Sequence, residues 1–162
     1  MKMHIPISFA KEDDFRCAAA LRSAALGARL NAYAPYSKYM VGAAILSASG
    51  RIFTGCNVES ADYDGTHAEE AALVRMVGDG ERSPVRIMVF GGLEGAQKLV
   101  SVPPCGKCRQ KLYEFASLSD IDLRILVDDA RGSLDYVLLL SELLRAAFGP
   151  ADIGVDLKKY RR

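Results

Sequence analysis

The chain has 162 residues, half of them hydrophobic and 25% charged, the balance of a water-soluble globular protein with one core of useful size. Lys and Arg number 21 against 20 Asp and Glu, a formal charge of +1, which argues against a broad phosphate-binding surface and so against a nucleic-acid partner. No apolar run reaches membrane-spanning length, and the opening MKMHIPISFAKEDD has acids where a signal peptide would be apolar, so a cytoplasmic protein with no membrane partner is expected.

Phe15 to Ala32 is rich in Ala, Leu and Arg with apolar residues at helical spacing, Asp13 or Asp14 can cap it, and Pro35 lies beyond its end. Tyr39–Leu46 and Arg51–Cys56 flank Ser47-Ala48-Ser49-Gly50, which reads as a β-hairpin. Thr66 precedes a second helix, His67 to about Val77, stopped by Gly78-Asp79-Gly80. Val85–Phe90 is a third strand, a polar loop follows, and Pro103-Pro104 introduces a third helix from Cys105 to about Ala116. Leu123–Val127 and Tyr136–Leu139 are the last two strands, and Ser141 caps a short helix, Glu142–Ala147. Strands interleaved with helices predict an α/β fold: a three-layer α/β/α sandwich with a mixed sheet of about five strands, one domain over residues 1–162. The basic run Lys158–Arg162 reads as a frayed, solvated tail starting near residue 156.

Four cysteines, Cys17, Cys56, Cys105 and Cys108, are expected to be reduced in a cytoplasmic chain, where a Cys-x-x-Cys pair points to metal or redox chemistry. Cys105 and Cys108 are three apart at a helix start, so their sulfurs share one face and can share one ion. His67 opens the other helix, and both helix N-termini favour nearby thiolates. Three ligands, His67, Cys105 and Cys108, leave a tetrahedral zinc with one open position, the arrangement of a catalytic site. Glu69, two residues past His67, projects beside that position, where a carboxylate can take a proton from water and deliver it to a substrate. H-x-E followed by P-C-x-x-C is a recognised signature of zinc deaminases. A structural zinc would instead need a fourth protein ligand, for which His4 and Cys56 are the candidates.

Further motifs widen the match. Ala34-Pro35-Tyr36-Ser37-Lys38-Tyr39 with Val41-Gly42-Ala43-Ala44, then Thr54-Gly55-Cys56-Asn57-Val58-Glu59, Pro104-Cys105-Gly106-Lys107-Cys108-Arg109-Gln110, and Glu142-Leu143-Leu144 with Ala147-Phe148-Gly149-Pro150 follow one another in order. In this order they resemble the nucleoside cytidine deaminases over about residues 34–150. The resemblance implies a zinc-dependent hydrolysis of cytidine or 2′-deoxycytidine to the uridine nucleoside and ammonia, in pyrimidine salvage. It implies that Asn57 and Glu59 hold the sugar, that Tyr39 and Ala68 line the pocket, and that Phe148 covers the base of a neighbouring subunit. It also implies a homotetramer, with a homodimer as the alternative. From the residues alone, Asn57 and Glu59 are equally a turn asparagine and a solvated acid, and Tyr39 and Phe148 equally packing residues. The run Leu138-Leu139-Leu140 is read either as an interface or as a buried strand.

Three departures from the family pattern stand out. Glu70 occupies a position where compact members often carry Arg after a third cysteine; zinc with two thiolates and a neutral His is formally neutral and tolerates an acid there. Ser60–Thr66 is one residue shorter than usual and contains Asp62 and Asp64, either solvated loop acids or, in the sharper alternative, readers of a cationic or modified base of blasticidin type. Arg145 replaces a common proline in the last helix. From another class altogether, a zinc-stabilised binding protein without turnover also accommodates the ligand pattern.

Overall fold

The structure, a computed structural model, describes residues 10–129 and 132–161; His4 and Arg162 lie outside them. Helix α1 (Glu12–Arg29) starts before the expected Phe15, and its N-cap is Lys11 rather than an aspartate. Its buried stripe is Asp14, Ala18, Leu21, Ala25 and Arg29, one face of a 3.6-residue repeat with a charged group at each end. Phe15 is exposed.

Strands β1 (Tyr39–Ser47) and β2 (Ile52–Cys56) form the expected antiparallel hairpin, with Gly50 in the left-handed region at φ 87° at its turn. Helix α2 (Ala68–Gly78) follows, then β3 (Pro84–Leu93), the two-residue β4 (Val100–Ser101), α3 (Gly106–Ser119), β5 (Arg124–Asp128), β6 (Leu134–Leu139) and the single turn α4 (Leu140–Leu143). Among the described residues the strands run in the order β2-β1-β3-β5-β6, with β4 paired to the end of β3. The β3–β5 pair is parallel and the others antiparallel, so the sheet is mixed.

Alternation along the strands divides the core in two. Ala43, Ile45, Ile87, Val89, Ile125, Val127 and Leu138 face α2 and α3, whereas Ala44, Met88, Phe90, Leu126 and Val137 face α1. This is the three-layer α/β/α sandwich. Leu138 and Leu140 are buried within the chain itself, which accounts for the leucine run as core. Two glycines let the helices close on the hairpin from opposite sides. A Cβ on Gly42 would lie 2.1 Å from Ala25 O in α1, and one on Gly55 would lie 2.3 Å from Ala72 N in α2. The second approach fixes where α2 begins.

The C-terminal expectations need correction. The helix expected over Glu142–Ala147 ends at Leu143: Leu144 leaves helical geometry, Ala146 is in the left-handed region at φ 52°, and Arg145 lies in the intervening turn. Ser141 is not its cap but bonds Asp122, with Oγ donating to Oδ2 at 2.6 Å. The basic tail is docked rather than frayed over its described part. Two short 3₁₀ turns, Pro150–Ile153 and Leu157–Tyr160, lead to Arg161, which donates to Leu118 O at 2.6 Å and pairs with Asp120.

Asp14 ties the layers together. Its carboxylate is fully buried and accepts from Lys11 N–H at 2.7 Å, Arg86 Nε at 2.8 Å and Arg124 Nη2 at 2.7 Å. Burial alone would raise its pKa, but the hydrogen bonds from Arg124, Lys11 and Arg86 outweigh that and hold it below the ordinary value. A folded pKa below the unfolded one means stabilisation present above pH about 4 and lost as the pH falls through the folded value. Thermal melts should therefore show a stable plateau near neutrality and a decline below pH about 4. Asp14→Asn should cost about 3 kcal/mol at neutral pH and flatten that acid limb; superimposable acid limbs for the two chains would contradict this assignment.

Candidate metal centre and active site

His67 and Cys105 are the N-caps of α2 and α3, not their first helical residues as the sequence suggested. Both have extended backbones, and neither side chain caps its own helix. The side chains therefore project over the helix starts, toward each other. Cys108 is at the third position of α3, one turn on, and is buried. The Cys105 and Cys108 sulfurs lie 3.3 and 3.4 Å from His67 Nδ1. All three donor atoms fall within 4.8 Å of one another, and this is the one such group among the described residues. Zinc–sulfur and zinc–nitrogen bonds of about 2.3 and 2.0–2.1 Å at a tetrahedral angle put sulfur and nitrogen about 3.6 Å apart. The donor set fits one zinc ion. Cys56, at the end of β2, is outside the cluster.

The electrostatics agree. Burial, with the neighbouring Glu69 carboxylate and Cys105, pushes the Cys108 thiol well above its ordinary pKa, so a thiolate there requires a cation beside it. Glu69 itself is buried, in the first turn of α2, near enough for its charge to act on Cys108. Ala68, between His67 and Glu69, is completely buried.

The remaining candidates are brought near by a backbone clasp. Val58 and Thr66 exchange two hydrogen bonds of 2.9 Å, which closes the Glu59–Gly65 loop and sets Asn57-Val58-Glu59 beside the first metal ligand. Asn57 extends the hairpin ladder with its side chain: Oδ1 accepts from Val41 N–H at 2.7 Å and Nδ2 donates to Tyr39 O at 2.9 Å. One amide hydrogen and one lone pair are left over. Glu59 Oε2 accepts from Tyr36 N–H at 2.9 Å and Ser37 N–H at 3.2 Å, while Oε1 pairs with the Ser37 hydroxyl. Those bonds, the Ser37 hydroxyl foremost, hold the Glu59 carboxyl below its ordinary range. Tyr39 heads the strand row that faces α2 and α3, its ring against Gly91, where a Cβ would come within 2.7 Å. Phe148 is 63% exposed and is not core.

A cleft of ≈ 290 Å³ lies between Tyr36, Ser37, Glu59, Ser60, Tyr63 and Gly65. It reaches the metal turn only through Gly65, and no metal ligand lines it. Tyr63 is in the left-handed region at φ 62°, 86% exposed, with its ring 5.9 Å from that of Tyr36.

Several partners had no signal in the sequence. Asp64 Oδ1 takes the ammonium of Lys107, which sits between the two cysteine ligands, at 3.1 Å. Asp62 accepts from Asp64 N–H at 3.2 Å. Lys107 thus offsets the charge of Asp64, whereas Asp62 is met by a neutral backbone donor and keeps its own. Glu70 pairs with Lys111 across the α2–α3 groove, and that bond holds its carboxyl below the usual range, so its charge is offset by a neighbouring cation as well as tolerated by a neutral histidine ligand.

The geometry predicts one tightly held zinc per chain by elemental analysis. Cys108→Ala should lose most of it, whereas Cys56→Ser should keep full occupancy; zinc loss on Cys56→Ser would mean a different ligand set.

Comparison with known proteins bears directly on this site. The profile of the cytidine and deoxycytidylate deaminase zinc-binding region matches residues 16–121. The cytidine deaminase of Sporosarcina psychrophila is 38% identical over 128 residues, covering 78% of this chain and 88% of that one. That of Mycobacterium tuberculosis is 40% identical over 136 residues, covering 82% and 90%. The crystal structure of the Burkholderia pseudomallei cytidine deaminase aligns with a TM-score of 0.67 at 37% identity, over 80% of this chain and 98% of that one. A paired-helix zinc site on a mixed sheet, and relatives similar across most of their length, place this chain in the cytidine and deoxycytidylate deaminase family.

Proposed function

We propose that the chain hydrolyses the exocyclic amine of cytidine and 2′-deoxycytidine, giving uridine or 2′-deoxyuridine and ammonia, with one zinc ion per subunit. The observation that carries the reading is Glu69: a buried carboxylate, two residues from one metal ligand and against another. His67, Cys105 and Cys108 would hold the zinc ion, which would supply the Lewis acidity that makes water nucleophilic near neutral pH. Glu69 takes a proton from that water as its oxygen adds to C4, and delivers the proton to N3. Glu69 then carries the second proton to the departing amine. One water is consumed and one ammonia released, and the carboxylate ends as it began.

Asn57 and Glu59 hold the ribose hydroxyls in this reading. The spare amide hydrogen of Asn57 and the ionised Glu59, preset by the Tyr36–Ser37 turn, support that role. Tyr39 and Ala68 line the base pocket, and Phe148 covers the base of a neighbouring subunit in a homotetramer, with a homodimer as the alternative. The exposure of Phe148 and a cleft that none of the metal ligands lines support a site completed by a second copy. Four free cysteines are in keeping with a cytoplasmic setting and a part in pyrimidine salvage. No helix of the described residues is long and apolar enough to cross a membrane.

Glu69→Gln should lower kcat on cytidine by about 10²–10⁴-fold while zinc content and melting temperature stay near those of the parent chain. Loss of ultraviolet absorbance by the nucleoside checks this in parallel with metal analysis. Undiminished turnover would remove Glu69 from the chemistry.

A further inference from the structure

Two consecutive side chains of α3 hold both the metal turn and the C-terminal segment. Arg109 directly follows the ligand Cys108. Its Nε donates to Pro104 O at 2.7 Å, the carbonyl immediately before the ligand Cys105, and its Nη1 donates to Leu143 O at 3.2 Å, at the end of α4. Gln110 donates from Nε2 to Phe148 O at 2.7 Å. The Tyr113 ring, one turn on, lies against Gly149 so closely that a Cβ there would come within 2.6 Å of it.

Between Leu144, whose N–H still bonds Leu140 O, and Gly149, whose N–H bonds Asp152, the segment carries no helix or strand. The helix before it is a single turn, too short to be stable alone, and Ala146 adopts a left-handed conformation. The Leu143 carbonyl has no onward helical partner, and the guanidinium supplies one. The planar guanidinium fork holds its two donors at a fixed separation and angle, a rigidity that the rotating donors of a lysine ammonium do not reproduce. At its other end the same fork fixes the loop that aims Cys105.

We propose that Arg109 and Gln110 couple the metal-ligand turn to residues 143–149, so that metal binding and the fixed presentation of Phe148 are one linked equilibrium. The coupling takes from the preceding reading only that His67, Cys105 and Cys108 bind zinc. Linkage makes it reciprocal: whatever frees the segment weakens metal binding by the same factor that the metal orders the segment.

Hydrogen exchange of the full chain, zinc-loaded and zinc-stripped, measures one arm, and competition with a chromophoric chelator measures the other. Stripping should speed exchange over residues 143–149 by more than it does over β3 and β5. Gln110→Glu, an exposed and nearly isosteric change that replaces the donor, should raise exchange there in the loaded protein and weaken zinc binding several-fold. Arg109→Lys should weaken it about 10–100-fold, the usual effect of losing a group that orients a ligand. If Arg109→Lys does not fold, Gln110→Glu decides. Zinc-independent exchange over 143–149, or parental zinc affinity in Gln110→Glu, overturns the coupling alone. A parent chain that binds no zinc overturns the proposed function as well.

Discussion

Two helix N-termini brought side by side form an electrostatically unfavourable pair. Each carries roughly half a positive charge and a set of backbone N–H groups without helical partners. In this chain α2 and α3 begin at such a meeting point, and the residues at their caps are His67 and Cys105, which do not cap. Two thiolates at that point offset the helix ends, and a divalent ion between them offsets the thiolates. Charge balance at this junction is what allows Glu69 and Glu70 to follow directly on the ligand histidine. Glu69 is buried against Cys108, and Glu70 is turned toward Lys111.

The sheet makes that junction unavoidable. Parallel pairing of β3 with β5 requires a crossover through α3, and the β2–α2–β3 connection advances the same way across the sheet, so right-handed crossovers put both helices on one face. Gly55 lets α2 press onto β2, fixing the height of His67, and the Val58–Thr66 clasp draws the end of the hairpin to the same place. Asn57 and Glu59 thus reach the metal turn as a consequence of strand pairing. On the other face α1 is held by Gly42 and by the buried Asp14 with its two arginines.

What could be read from the sequence is what local periodicity and short spacing encode. The hairpin, α2, α3, the buried strands and the three ligands all announce themselves within a few residues, and the sandwich follows from their order. Asp14 looked like a helix cap, and it does accept from Lys11 N–H at the helix start; its two arginine partners lie 72 and 110 residues away, a distance at which no local pattern speaks. Lys107 with Asp64 and Lys111 with Glu70 are likewise pairings between elements. Strand β4 is two residues long and has no period to detect. The last helix stops early because Ala146 turns left-handed and the Arg109 side chain takes up the carbonyl of Leu143, neither of which is visible in the composition of Glu142–Ala147. Arg161 tethers a tail whose charge alone suggested solvation.

The central claim is that three donors, and no fourth among the described residues, converge on one zinc ion. X-ray absorption at the zinc edge of the purified chain tests it most directly. The account predicts two sulfur scatterers at about 2.3 Å and two light scatterers at about 2.0–2.1 Å, one an imidazole nitrogen and one an exchangeable oxygen. A shell with three or four sulfurs, or with a second imidazole in place of the oxygen, would describe a closed structural site and contradict it.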